Sequence, residues 1–346
     1  MTKGITAVLI VVSLVILTGA VLIGTGTISP FSKPGSGDVI EEALIDFLKA
    51  ESFRADGVLT LTADTQADQG PQQASLSFGF SNAIDALDKD LLKDDLLLDV
   101  EIKTEGMSFS ATLGSIIIGK DFYFQLSNLP PFLPLPIDLT EIEDQWFLFN
   151  MEDVGAILGI ELDPTFGEGL GQAEDEFLSV IKGKGLFEVK ENMGEDEVGD
   201  HYLVSLNKGA VKKMGPEILE FAKKYATEEQ RLQYETEAQE VIEEFPGQID
   251  VLWAQTGGVE FEVWIKGSLL RKILWQKKIA IDTTAEMLEM IPESGAIKGD
   301  LNVVLEAQFS DFNKDFNIEA PAQATPFEEL LGLIFGSFAE PVAETE

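Results

Sequence analysis

Residue types able to carry covalent chemistry are few in this chain. Its 346 residues include one histidine, His201, and no cysteine. A hydroxyl–imidazole–carboxylate relay therefore has a single candidate base, and thiolate chemistry has none. His201 stands between Asp200 and Tyr202 in a strand-like run, and a lone histidine in that setting reads as structural rather than catalytic. Carboxylates are abundant: 61 Asp and Glu against 24 Lys and Arg give a formal net charge of −37. The groups Asp85, Asp88, Asp90, Asp94, Asp95 and Glu195, Asp196, Glu197 lack the glycine and closing glutamate of an EF-hand loop. They read as solvated loops. Gly167-Glu168-Gly169-Leu170-Gly171 has no following Lys-Ser/Thr and is not a phosphate loop. No catalytic residue, metal ligand or cofactor is expected, so the chain reads as a non-enzyme. Its charge repels phosphate backbones, which argues against nucleic-acid binding.

The informative side chains are instead the large apolar ones, with 23 Phe and four Trp. They can form an ordinary packed core, or they can line a hollow that takes an apolar ligand. Which of the two holds depends on the elements that position them.

The first such element is an uncharged run, Ile5 to Ile23, close to the ~20 residues a helix needs to cross hydrocarbon. It exceeds the apolar core of a cleaved signal, and the exit Gly24–Pro30 offers no clear small-x-small site. The expectation is a signal anchor over 1–27, with a cleaved signal peptide as the alternative. Lys3 before the span places the N-terminus in the cytoplasm and the body outside it. Without cysteine a lipidated N-terminus is not possible, so the anchor is polypeptide. Residues 28–37, rich in Pro, Gly and Ser, form a tether. The body is expected as one extracytoplasmic domain over 38–339, followed by an acidic tail at 340–346.

Within the body, Asp38 to about Ala50 has helical spacing of Ile40, Ala43, Leu44, Phe47 and Leu48. Strands follow. Phe53–Asp64 alternates, with Leu59 and Leu61 pointing one way and Thr60 and Thr62 the other. Ala74–Ser81 alternates after a break at Gly70-Pro71. Leu97–Lys103 and Met107–Ser115 make a hairpin around Thr104-Glu105-Gly106, and Gly119-Lys120-Asp121 turns the chain into Phe122–Leu126. Leu129 to Pro136 reads as a buried crossover or the lip of a cavity. Gln145–Asn150, Leu186–Glu191 and His201–Leu206 are further strand candidates, and Met151–Leu158, Ala173–Ile181, Lys208–Tyr225 and Glu228–Glu244 are helical ones. Val259–Ile265 pairs with Leu270–Ile281 across Lys266-Gly267-Ser268. Leu301–Phe309 repeats the alternation, and Phe327–Phe338 is amphipathic. About ten strands in local hairpins, without a βαβ rhythm, predict an α+β domain whose helices pack on one face of a large antiparallel sheet.

The order of these segments resembles the LolA-like lipoprotein-carrier superfamily, and within it the mycobacterial-type LppX/LprG lipoproteins. The resemblance lies in the helix and long strand Ala43–Asp64, in Gly-Lys-Asp-Phe-Tyr-Phe-Gln-Leu at 119–126 and in Gln-Trp-Phe at 145–147. It continues in His-Tyr-Leu-Val-Ser-Leu at 201–206, Val-Glu-Phe-Glu-Val-Trp-Ile at 259–265 and the Phe-Ser-Asp-Phe-Asn stretch from 309 toward Pro321. It implies a curved half-barrel sheet with helices on its concave face, and lipid or another hydrophobic ligand between the two. Leu59, Leu61, Phe109, Leu113, Phe122, Phe124, Phe261 and Val263 are the expected lining. The fixed anchor departs from a mobile carrier and favours a tethered holder in contact with the cell membrane through residues 5–23. The competing expectation is an envelope interaction module with a packed core and no ligand. No protein partner can be named.

Overall fold

The computed structural model describes residues 38–67, 70–88, 91–130, 142–150, 180, 182–225, 245–251, 253–254, 256–282, 298–327 and 329–330. The predicted anchor, tether and acidic tail lie outside them. So do the helical candidates at 151–158 and 228–244, nearly all of those at 173–181 and 327–338, and the Pro-rich residues 131–136. Among the described residues no helix is long and apolar enough to cross a membrane.

One open sheet of twelve strands dominates, in the order β12-β6-β5-β4-β3-β2-β1-β11-β10-β9-β8-β7. Its left half is a meander: β1 (Ser52–Ala67), β2 (Gly70–Asp85), β3 (Lys93–Thr104), β4 (Met107–Ile118), β5 (Asp121–Ser127) and β6 (Trp146–Asn150). Its right half is a second run: β7 (Phe187–Glu195), β8 (Asp200–Leu206), β9 (Glu260–Lys266), β10 (Leu269–Asp282) and β11 (Lys298–Ser310). The halves meet where β11 pairs antiparallel with β1, from Arg54↔Ser310 to Gln66↔Lys298. Tight turns fix the registers where the sequence carries glycine. Gly119 and Gly267, with φ of 60° and 68°, open two-residue hairpin loops whose twist matches the strands they join.

Two expectations are corrected. The sheet is mixed rather than wholly antiparallel, because β12 (Thr325–Pro326) pairs parallel with β6. This follows from the path of residues 311–324, which leave the end of β11 at the middle of the sheet and reach its edge. Gly70-Pro71 is not a break but the start of β2, paired with Ala67 and Gln66. Pro71 is tolerated there because β3 ends at Thr104, opposite Ala74, so the missing N–H has no strand on that side to serve.

Among the described residues, two helices and the helical residues 245–251 cover one face. In α1 (Asp38–Leu48), Ile40, Ala43, Phe47 and Leu48 of the expected stripe are buried, Leu44 is half-buried against the same core, and Ile45 joins them. In α2 (Lys208–Tyr225), Val211, Met214, Ile218 and Phe221 form the inward stripe. Asn207 caps α2 through Oδ1, which accepts from the Ala210 N–H at 3.0 Å. Asp250, in the helical residues 245–251, accepts from Lys208 and Lys212 at 2.6 Å each and ties that segment to α2. These elements, Phe53 and Ala55 of β1, Ile84 of β2, Val204 of β8 and Val263 and Ile265 of β9 make the principal core. A smaller core lies at the other end, around Ile142, Phe147 and Leu330.

The Phe-Ser-Asp-Phe-Asn stretch has a defined role in this fold. Phe309 and Phe312 pack on Phe47 at 4.6 and 6.1 Å between ring centroids. Asp311 and Asn313 take φ of 55° and 54°, left-handed conformations that Asp and Asn tolerate better than bulkier residues. They turn the chain around the start of β1. Ser52, fully buried, donates through its hydroxyl to the Lys314 carbonyl at 2.7 Å, and the Phe316 N–H donates to buried Asp85 at 3.2 Å.

Candidate functional site

The pairing register sorts every strand residue onto one of two faces. Directly opposed residues of an antiparallel pair point the same way, so rows can be followed across the sheet. One row runs Trp275–Leu305–Leu59–Phe78–Val100–Ala111 and the next Ile273–Ala307–Gly57–Phe80–Leu98–Leu113–Leu126. Beside them lies Lys277–Val303–Leu61–Leu76–Ile102–Phe109. These rows are almost wholly apolar and share the face that α1 and α2 cover.

The opposite face is wet. Ser81 donates to Asp56 at 2.6 Å, Thr112 to Asp99 at 2.7 Å, and Gln73 to Asp64 at 2.8 Å. Lys272 pairs with Glu306 at 2.7 Å and Lys278 with Asp300 at 2.7 Å. The Lys272 bond and a second one from Gln308 hold the Glu306 carboxyl below its usual range. A hollow at the far end of β2 and β3 on this side, lined by Gln73, Ser75, Lys103, Thr104 and Glu105, is polar and separate from the apolar rows.

All the expected lining residues fall on the inner face, but they divide by environment. Phe261 and Val263 belong to the principal core, Phe261 edge-on to Phe187 at 6.2 Å and Val263 2% exposed. Phe124 packs on the smaller core. Phe122 joins an aromatic group with Phe149 at 4.6 Å, which Phe327 extends at 5.2 Å. Leu59, Leu61, Phe109 and Leu113 lie elsewhere: they are half-buried and belong to neither described core. Leu76, Phe78, Val100, Leu98 and Ile102 share that environment. Together they form an apolar strip across β1–β4 between the two packed ends. The lining set omitted these last five, although their alternation carried the signal.

A polar group interrupts the inner face, also unanticipated. Asn82, Asp94 and Ser115 share the parity of their apolar neighbours, with Asn82 and Ser115 both opposite Leu96, and Asp94 between Ile84 and Ile117. Asp94 is therefore not the solvated loop residue that the run of acids suggested. Burial, with the Asp95 charge added, pushes its carboxyl up to about 6, against a lowering hydrogen bond from Asn82. Asp85 is corrected likewise, being 4% exposed at the end of β2 with both carboxylate oxygens accepting backbone N–H groups, Leu87 and Phe316.

His201 sits on the outer face. Its Nε2 lies 2.7 Å from Glu262 Oε2, and its ring stacks on Trp264 at 4.0 Å. Trp264 in turn donates to Asp196 at 2.8 Å, which holds that carboxyl below its usual range. Each member of the group is engaged by another in tying β8 to β9. Among known proteins, no family model and no curated sequence matches the chain. Its functional reading rests on this geometry and on the sequence.

Proposed function

We propose that the protein is a membrane-anchored, extracytoplasmic holder of lipid or another apolar ligand, bound on the inner face of the sheet without catalysis. The observation that carries this reading is the strip of half-buried side chains, Leu59, Leu61, Phe78, Leu98, Val100, Ile102, Phe109 and Leu113, on one face between two packed cores. A sheet bent into a half-barrel around such a strip gives an acyl chain a dry seat. Each buried methylene contributes about 0.8 kcal/mol, so one long chain supplies several kcal/mol from burial alone. The resemblance to the LolA-like carriers supports the same class of ligand, and the run Ile5–Ile23 supports a body fixed beside its membrane.

Native mass spectrometry of the full chain, purified from its own membranes in mild detergent, tests the proposal. A co-purifying lipid, lost in Leu61→Trp and Val100→Trp variants that fill the strip while the fold is retained, is the expected result. Repeated recovery without ligand, together with no uptake of fluorescent fatty acids, would overturn it. The packed state of Phe261, Val263 and Phe124 favours the second reading, an envelope interaction module. That reading gains if the tryptophan variants behave as wild type.

A further inference from the structure

The polar group on the inner face has an unusual deficit. Asn82 Oδ1 and Asp94 Oδ1 are both buried and have no hydrogen-bond partner. Asn82 already gives a side-chain hydrogen bond to Asp94, so their mutual contact leaves two acceptors unanswered. Buried acceptors are ordinarily paired, because removal from water without a replacement donor is unfavourable. Lys93 and Asp95, the charged neighbours of Asp94 on β3, have the opposite parity and lie on the outer face. Among the described residues their cross-strand neighbours on the inner face are Ile84, Leu96 and Ile117, which offer no donor side chain, and buried Ser115, whose hydroxyl answers neither oxygen.

We propose that these two oxygens receive the headgroup of an amphiphile that donates hydrogen bonds, a hydroxyl or an ammonium, while its chain lies along the apolar strip. This rests on the ligand-holding reading above and adds to it the polarity of the headgroup. The placement fits: from Leu96 the inner-face residues of β3 continue as Leu98, Val100 and Ile102, about 20 Å of apolar floor at ~3.3 Å per residue. A headgroup with only acceptors, such as an ester, would add to the deficit rather than relieve it. A fatty carboxylate would also face the Asp94 carboxyl.

The test uses the full chain in mild detergent and displacement of the neutral fluorophore N-phenyl-1-naphthylamine by hexadecylamine, hexadecanol and methyl hexadecanoate. The amine and the alcohol are expected to displace it at concentrations at least about tenfold lower than the ester, the worth of one good hydrogen bond to a charged or buried acceptor. Asp94→Val and Asn82→Leu should each cut that preference while leaving the ester unchanged. Both variants place an apolar side chain among apolar neighbours, and circular dichroism confirms the fold of each. Equal displacement by all three compounds, or a preference that survives both substitutions, would overturn the headgroup assignment and leave the ligand-holding reading standing. Failure of wild type to take up the fluorophore or any of the compounds would overturn both.

Discussion

Replacing Gly57 by alanine probes the middle of the sheet, where β1 carries β2 on one side and β11 on the other. A Cβ there would stand 2.5 Å from the Glu306 carbonyl oxygen and 2.5 Å from Cζ of Phe80. The first is backbone of β11 and cannot swing aside; the second is the edge of a ring seated directly opposite, in the space a side chain would need. Overpacking by one methyl costs about 1–3 kcal/mol, and the rigid backbone contact puts Gly57→Ala in the upper part of that range, about 2–3 kcal/mol. For a chain of this size about 1 kcal/mol moves the melting midpoint by ~1.5 °C, so the variant should melt roughly 3–5 °C lower. Gly79 supplies the control. It lies one strand away, opposite Val58, and a Cβ there meets only Asp99 Cβ at 3.6 Å, an ordinary contact. Gly79→Ala should be neutral or stabilising by up to about 1 kcal/mol, through the reduced freedom of the unfolded chain. Adding Phe80→Leu to Gly57→Ala removes the ring contact but not the backbone one, so it should recover part of the loss. Thermal melts followed by circular dichroism read all of these. Equal losses at Gly57 and Gly79 would refute the reasoning.

Phe147, 1% exposed in the smaller core, should cost about 3–5 kcal/mol on truncation to alanine, read as a shift in urea midpoint. Asp85→Ala leaves the Leu87 and Phe316 N–H groups without their acceptor. It should lose about 1–3 kcal/mol and expose residues 311–320 to limited proteolysis. Asp94 binds its proton more tightly in the folded chain, at about 6 against an ordinary 3.8. Its contribution to stability is therefore present at low pH and lost as pH rises from about 4 through about 6. Asp94→Asn should match wild type near pH 4 and exceed it by about 2–3 kcal/mol at about pH 8; an unchanged difference across that range would contradict the placement of the group. At a net charge of −37, raising sodium chloride from about 0.02 to about 0.5 M should raise the melting temperature by screening self-repulsion.

Much of the sheet was legible because its two faces differ so sharply. Leu98, Val100 and Ile102 against Asp99, Glu101 and Lys103 can be read only as a strand with one wet side, and Gly119 and Gly267 mark their turns by the backbone conformation they permit. Periodicity carries no information about partners. Nothing local to Arg54 or Ser310 announces that they face each other, and a two-residue strand such as Thr325–Pro326 has no period to detect. The expected lining residues share one face, as their alternation implied, but alternation is silent about what packs against each of them. Alternation tells which side Val263 and Phe261 point to, but not that α1, α2 and the helical residues 245–251 fill that end. Asp94 shows the converse error. Its parity with Leu96 and Leu98 marked it as inward-facing, but the neighbouring acids drew it into a solvated run.

The seam between β1 and β11 also sets an order of events during synthesis. Ala67 closes β1, and its partner strand begins at Lys298, 231 residues later (298 − 67). At translation rates of about 5–20 residues per second the long edge of β1 waits roughly 12–46 s for its neighbour. Through that interval the left-hand meander can pair internally from β1 to β6, while the opposite side of β1 offers free backbone groups to any other strand. An open strand of this length invites mispairing with a second nascent chain. Production yield, more than equilibrium stability, should therefore be the quantity most sensitive to anything that delays β11. Lengthening the stretch between β6 and β7 would prolong the exposure without changing the order in which the strands pair.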